Sequence, residues 1–134
     1  MGRIALYIAN GLMFILFVWA AVVQYNDPDP VLWMAIYGAA ALCCALYVAG
    51  RLPMRLAAAL SGLYVLGAVY LMLRVLGPGS FFDDTGREMM GLMEESREML
   101  GLWIMAVWTG FLAWRVHRQT AAPPLASRPE PTNA

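Results

Sequence analysis

The chain has 134 residues, 61% hydrophobic and only 13% charged, with nine acidic residues balanced by nine basic ones, every one of them arginine. A soluble domain carries roughly 25% charged residues, so this composition, with a mean hydropathy of +0.61, excludes an ordinary water-soluble fold. Zero net charge conceals an uneven distribution, because charge is missing from residues 4–25, 31–50 and 56–73 altogether.

Each of these stretches has about the 20 residues that a helix needs to cross ~30 Å of hydrocarbon. In lipid the backbone must bond to itself, and a segment of this length does so only as a helix. The first span is predicted over residues 4–24. Val18-Trp19-Ala20 resembles a signal-peptidase site, but the apolar run is long for a signal peptide, so the segment is read as a membrane helix. A polar insert follows, Gln24-Tyr25-Asn26-Asp27-Pro28-Asp29-Pro30. An Asp N-cap with proline at the first helical position then starts the second span, 31–50. Cys43 and Cys44 lie in mid-span; neighbours on a helix point about 100° apart, so they are expected as small core residues rather than a disulfide.

Arg51-Leu52-Pro53-Met54-Arg55 reads as a tight basic turn, since proline cannot continue the helix. The third span covers 56–76 and stops at Gly77-Pro78-Gly79. Thr85 with Glu88 has the form of a capping box, predicting a helix from Gly86. Its amphipathic start, 86–94, leads into a fourth span over 95–114. Continued to Arg118, that helix exceeds a bilayer core, so its first turns must project, lie in the interface, or kink near Gly91 or Gly101. Residues 1–118 form one domain, and 119–134 make a Pro-rich tail expected to be disordered.

The predicted fold is all-α: an up-down-up-down bundle of four transmembrane helices joined by short loops. Four spans place Arg3, Arg51, Arg55, Arg115, Arg118 and Arg128 on one side with Glu130 as the lone acid. The other side holds Arg74, Arg87 and Arg97 against eight carboxylates. By the positive-inside rule the basic side, with both termini, is cytoplasmic. Trp19, Tyr25, Trp33 and Trp114 fit aromatic belts at the two interfaces. Small residues four apart, such as Ala57/Ser61, Ala58/Gly62 and Ala106/Gly110, permit close helix approach. Asn10, Tyr64 and Tyr70 are expected to hydrogen-bond between helices. The all-arginine basic composition, with abundant Ala and Gly, points to a GC-rich bacterial genome and hence to the inner membrane.

Chemistry concentrates at the acidic end. Glu94, Glu95 and Glu98 crowd one stretch of helix, and like charges one turn apart repel, so a cation should sit among them: Arg97 or Arg74. Two readings compete. In one, Asp27 and Asp29 are turn and cap residues and the glutamates snorkel into water near a helix start. In the other, Asn26, Asp27, Asp29, Arg74, Glu94, Arg97 and Glu98 form one polar pocket at the mouth of the bundle, since ionisable groups at membrane depth are costly and often functional. In that pocket Asp27, Asp29, Glu94 and Glu98 supply hard oxygen ligands that would suit a divalent cation such as Mg²⁺ or Ca²⁺. Met89, Met90, Met93 and Met99 recur at helical spacing and read as an apolar face. His117 is expected at the surface. No nucleophile elbow, zinc signature, phosphate-binding loop or haem motif is present.

The insert from Gln24 to Pro30, followed by Trp33 and Tyr37, resembles the hallmark of the transmembrane protein 220 family. Glu94-Glu95-Ser96-Arg97-Glu98, followed by Gly101-Leu102, is similar to that family's second signature. The likeness covers roughly residues 4–115. It implies a small four-helix membrane protein and names no reaction. The expected function is that of a non-catalytic accessory or assembly partner, with the polar site for a divalent cation or lipid head group as the alternative. Its expected partners are the lipid bilayer and a membrane protein or a second copy of the chain, and no nucleic acid.

Overall fold

The computed structural model of the chain describes residues 2–76 and 86–121, side chains excepted over 86–93. It is helical throughout, with α1 at Arg3–Val23, a 3₁₀ turn at Gln24–Asn26, α2 at Pro30–Val48, α3 at Met54–Leu76 and α4 at Gly86–Ala121. Among the described residues four helices are long and apolar enough to cross a membrane: Arg3–Asn26 (the 3₁₀ turn included), Pro30–Val48, Met54–Leu76 and Glu94–Ala121.

Contacts fix the directions. Asn10 meets Cys44 and Tyr7 meets Tyr47, so α1 and α2 are antiparallel. On α3 and α4, Ser61 meets Ala106 and Arg74 meets Glu95, again antiparallel. Tyr64 of α3 reaches Ile36 of α2, and Gln119 of α4 reaches Tyr47. The helices therefore run up, down, up and down, and the start of α1 and the end of α4 lie at the same end of the bundle. At that end are Arg3, Arg51, Arg55, Arg115 and Arg118. At the other are Asp27, Asp29, Arg74, Glu94, Glu95, Arg97 and Glu98.

The close approaches follow from small residues. Ser61 Oγ donates to the Ala106 carbonyl at 2.8 Å, and a Cβ on Gly110 would stand 2.9 Å from that same oxygen. Ala57/Ser61 and Ala106/Gly110 thus serve the α3–α4 contact, with Ala57 and Ala106 buried. Ala58 and Gly62 are exposed instead, and nothing lies within 4 Å of a Cβ on Gly62. Phe17, Cys43, Cys44, Met105, Thr109 and Leu112 are fully enclosed. Both thiols are free. Large apolar side chains such as Ile4, Leu12, Leu66 and Val107 face outward, as lipid contact requires.

The helix ends use different chemistry. At the end of α2, Gly50 takes φ +66°, while Gly50 N–H donates to Tyr47 and Arg51 N–H to Leu46 at 2.9 Å. This is a Schellman motif with the left-handed residue just past the cap. At the start of α2, Asp29 and Pro30 occupy the cap and first positions that the sequence predicts, yet the Asp29 carboxylate makes no capping bond. With φ −120° and ψ 61°, Asp29 lacks the extended backbone that aims a cap side chain at the next N–H groups. Its backbone carbonyl still accepts from Trp33 N–H at 3.3 Å.

α4 is unbroken through Gly91 and Gly101, so neither glycine breaks it. Its 36 residues extend about 54 Å at ~1.5 Å each, well beyond a bilayer core of ~30 Å. The helix also runs to Ala121, three residues into the segment that the sequence assigns to the tail. The remainder of that tail, the Gly77-Pro78-Gly79 stop and Thr85 of the capping box lie outside the described residues, as do the side chains of Met89, Met90 and Met93.

Candidate functional site

The acidic end is assembled from three pieces of chain. After α1 the backbone tightens into the 3₁₀ turn, and Asp27 N–H closes onto the Gln24 carbonyl at 3.0 Å. That turn buries Gln24 and leaves Tyr25 and Asn26 exposed. It also points Asp27 toward α4, where Arg97 donates to Asp27 Oδ2 at 3.5 Å, a long contact. The carboxylate is mostly covered, with 16% of its side chain exposed, whereas Arg97 is 63% exposed. Arg74, in the last turn of α3, pairs with Glu95 Oε1 at 3.1 Å. The Arg74 guanidinium also stands 6.0 Å from the Tyr70 ring on its own helix. Tyr70 is itself exposed and faces outward instead of bonding between helices.

The structure therefore joins Asp27 to Arg97 and gives Arg74 to Glu95, a residue outside the pocket expected from sequence. Asp29 and Asn26 are exposed. Glu94 and Glu98 are half-buried, and among the described residues no arginine lies within 4.0 Å of either. The charged groups that act on Glu98 are Glu94, Arg97, Asp27 and Glu95. Among the described residues no three of His, Cys, Asp or Glu are grouped so as to hold a metal ion.

Behind the ion pairs lies a packed contact that the pocket reading lacks. Tyr37 of α2 is 8% exposed, with its ring beside Trp33 (centroids 6.3 Å apart) and its hydroxyl against Gly101 of α4. A Cβ on Gly101 would overlap that hydroxyl and reach 3.1 Å from Tyr37 Cζ. Arg97, Glu98 and Asp27 are the charges acting on the Tyr37 hydroxyl. The two sequence signatures thus meet twice, through Asp27–Arg97 at the rim and Tyr37–Gly101 one turn deeper. A glycine inside an otherwise apolar span was the available signal for the second contact.

Deeper still, the polar side chains bond to backbone. Asn10 Nδ2 donates to the Cys44 carbonyl at 3.0 Å, and Tyr64 Oη to the Ile36 carbonyl at 2.9 Å. Thr109 Oγ1 donates to Met105 within its own helix at 2.7 Å.

Fold and site together define a multi-pass integral membrane protein whose four helices are tied at one end by arginine–carboxylate pairs. The chain belongs to the transmembrane family 220, whose model matches residues 16–114. It is also similar to Transmembrane protein 220 of Xenopus laevis, at 34% identity over 107 residues, 75% of this chain and 54% of the relative. The chain thus spans about half the length of that curated relative. No solved structure matches it.

Proposed function

We propose that the protein is a non-catalytic accessory or assembly partner in its membrane, and that the two signature segments form a clasp holding the bundle in a fixed shape for that role. One observation carries this reading: the arginines described at the acidic end are spent on carboxylates of the same chain. Arg74 and Arg97 pair with Glu95 and Asp27, Tyr37 fills the space above Gly101, and the deeper polar side chains bond to neighbouring backbone. A reaction centre would need polar groups converging on open space instead. In this reading the basic end and both termini face the cytoplasm. Arginine-only basicity favours a bacterial inner membrane, a choice to which the amphibian relative lends no support.

A pull-down from native membranes tests it. A membrane protein retained in stoichiometric amount, and cross-linking to the bundle, is the expected result; recovery of the chain alone would overturn the accessory role. The rival cation or head-group site is favoured by Glu94 and Glu98, two half-buried carboxylates without an arginine partner among the described residues. Two carboxylates fall well short of the six to eight oxygens that Ca²⁺ takes. Thermal unfolding in detergent with EDTA, Mg²⁺, Ca²⁺ or Mn²⁺ separates the two readings. A metal-dependent rise in Tm that disappears in Glu98→Gln would replace the clasp by a metal site.

A further inference from the structure

We propose that the basic end of the bundle seats the phosphate head groups of anionic phospholipids, centred on Arg115 and Arg118 of α4. The two ends of the molecule treat arginine differently. At the acidic end both described arginines, Arg74 and Arg97, have carboxylate partners. At the basic end Arg3, Arg51, Arg55, Arg115 and Arg118 gather with no carboxylate among the described residues and no ion pair to any of them. Five guanidinium groups without a carboxylate among the described residues need more counter-charge than Glu130, the lone acid the sequence puts on this side, can supply, and the phosphates of the adjoining leaflet are placed to provide it.

Geometry singles out α4. Arg118 holds its guanidinium over the Trp114 ring at 4.8 Å, while Trp114 is 46% exposed and so faces lipid rather than the core. Arg115, half-buried, has an Nε atom that is enclosed yet has no hydrogen-bond partner among the described residues. The two arginines are three residues apart, hence neighbours on one helix face. This end of α4 is anchored by Gln119 Nε2 donating to Tyr47 Oη at 3.3 Å. An outward-facing tryptophan beside two planar guanidinium forks is suited to grip a phosphate from two sides. The inference does not depend on which face of the membrane this end occupies, nor on the accessory role.

The test uses full-length protein purified in neutral detergent, titrated with phosphatidylglycerol, phosphatidylcholine or inorganic phosphate and read by native mass spectrometry. Phosphatidylglycerol should be retained at least tenfold better than phosphatidylcholine. Each arginine removed should weaken that retention about fivefold, equivalent to ~1 kcal/mol, in Arg118→Gln and further in the Arg115→Gln/Arg118→Gln double variant. Arg118→Gln alters an exposed side chain outside the core and keeps the test open if the double variant fails to fold. Arg74→Gln, at the opposite end, should leave the lipid preference intact. Equal retention of the two lipids, or retention unchanged by the arginine variants, would overturn the proposal. Occupancy by inorganic phosphate that displaces phosphatidylglycerol would overturn the lipid as the ligand.

Discussion

Gly101 lacks a side chain, and the hydroxyl of Tyr37 occupies the position where one would begin. In a close-packed interior an added methyl has to move something. Here it meets a ring already held by Trp33 on one side and by the backbone of α4 on the other. Gly101→Ala should therefore destabilise the bundle by about 1–3 kcal/mol, the usual range for overpacking. Tyr37→Phe in the same chain should recover part of that loss by deleting the overlapping oxygen. Recovery stays partial because Cζ would remain 3.1 Å from the new methyl. Thermal unfolding of the four proteins as a double-mutant cycle gives the coupling; additive losses would show that the two residues do not press on each other. Asn10 presents the opposite case. Its amide donates to the Cys44 carbonyl at 3.0 Å, but its own oxygen is buried without a partner among the described residues. Hydrogen bonds between membrane helices average only about 0.6 kcal/mol, and Asn10→Leu would remove the orphaned oxygen together with the bond. The expected change in Tm is small, and a large fall would reveal a ligand or water on Asn10 Oδ1.

At the scale of elements, the turn between α2 and α3 depends on one backbone conformation. Gly50 at φ +66° lets Gly50 and Arg51 bond back to Tyr47 and Leu46, and Leu52 then tucks into the core at 6% exposure. A Cβ at Gly50 would meet nothing within 4 Å, so Gly50→Ala tests backbone strain alone. Left-handed backbone costs an L-residue roughly 1–2 kcal/mol, and unfolding should register a loss of that size. The ion pairs contribute less. Both join a covered carboxylate to an arginine more than half exposed, and such pairs are typically worth under ~1 kcal/mol. Arg74→Gln and Arg97→Gln should each cost no more than this in detergent, and less in high salt. A greater loss would mean that lipid desolvates the pairs.

The same elements explain what the sequence could convey. Span number and the turn between α2 and α3 were legible because absence of charge over some 20 residues and a Pro–Arg turn are properties of the chain alone. Helix rotation was not. α2 and α3 are apolar nearly all round, so nothing in their pattern marks which face meets which neighbour. A rotation of one residue, about 100°, decides whether Arg74 finds Glu94, Glu95 or Glu98. Spacing of four drew attention to Glu94 and Glu98, whereas packing of α3 against α4 turned Glu95 toward Arg74 at 3.1 Å. Tyr37 and Gly101 stood in the quoted signatures without an assigned task for the same reason, since their contact exists only once two helices are in register.

For the molecule as a whole, the unequal ends carry the orientation. An even number of spans puts Arg3, Arg51, Arg55, Arg115 and Arg118 together, away from Asp27, Asp29, Glu94, Glu95 and Glu98. Basic flanks resist translocation, while acidic ones contribute little to the choice, so the arginine-rich end should stay in the cytoplasm. The chain offers a direct way to read this. Its two cysteines, Cys43 and Cys44, are both fully buried mid-span. A membrane-impermeant thiol reagent should therefore leave the natural protein unlabelled from either side. In a Cys43→Ala/Cys44→Ala background, Tyr25→Cys, exposed at the acidic end, should react in intact cells. Arg51→Cys, exposed at the basic turn, should react only after the membrane is opened. Labelling of both sites in intact cells would indicate a mixed population, and the reverse pattern would invert the bundle. Inversion would leave the clasp and the lipid seat in place while exchanging the compartments they face, because both rest on contacts within one end of the molecule rather than on its direction in the membrane.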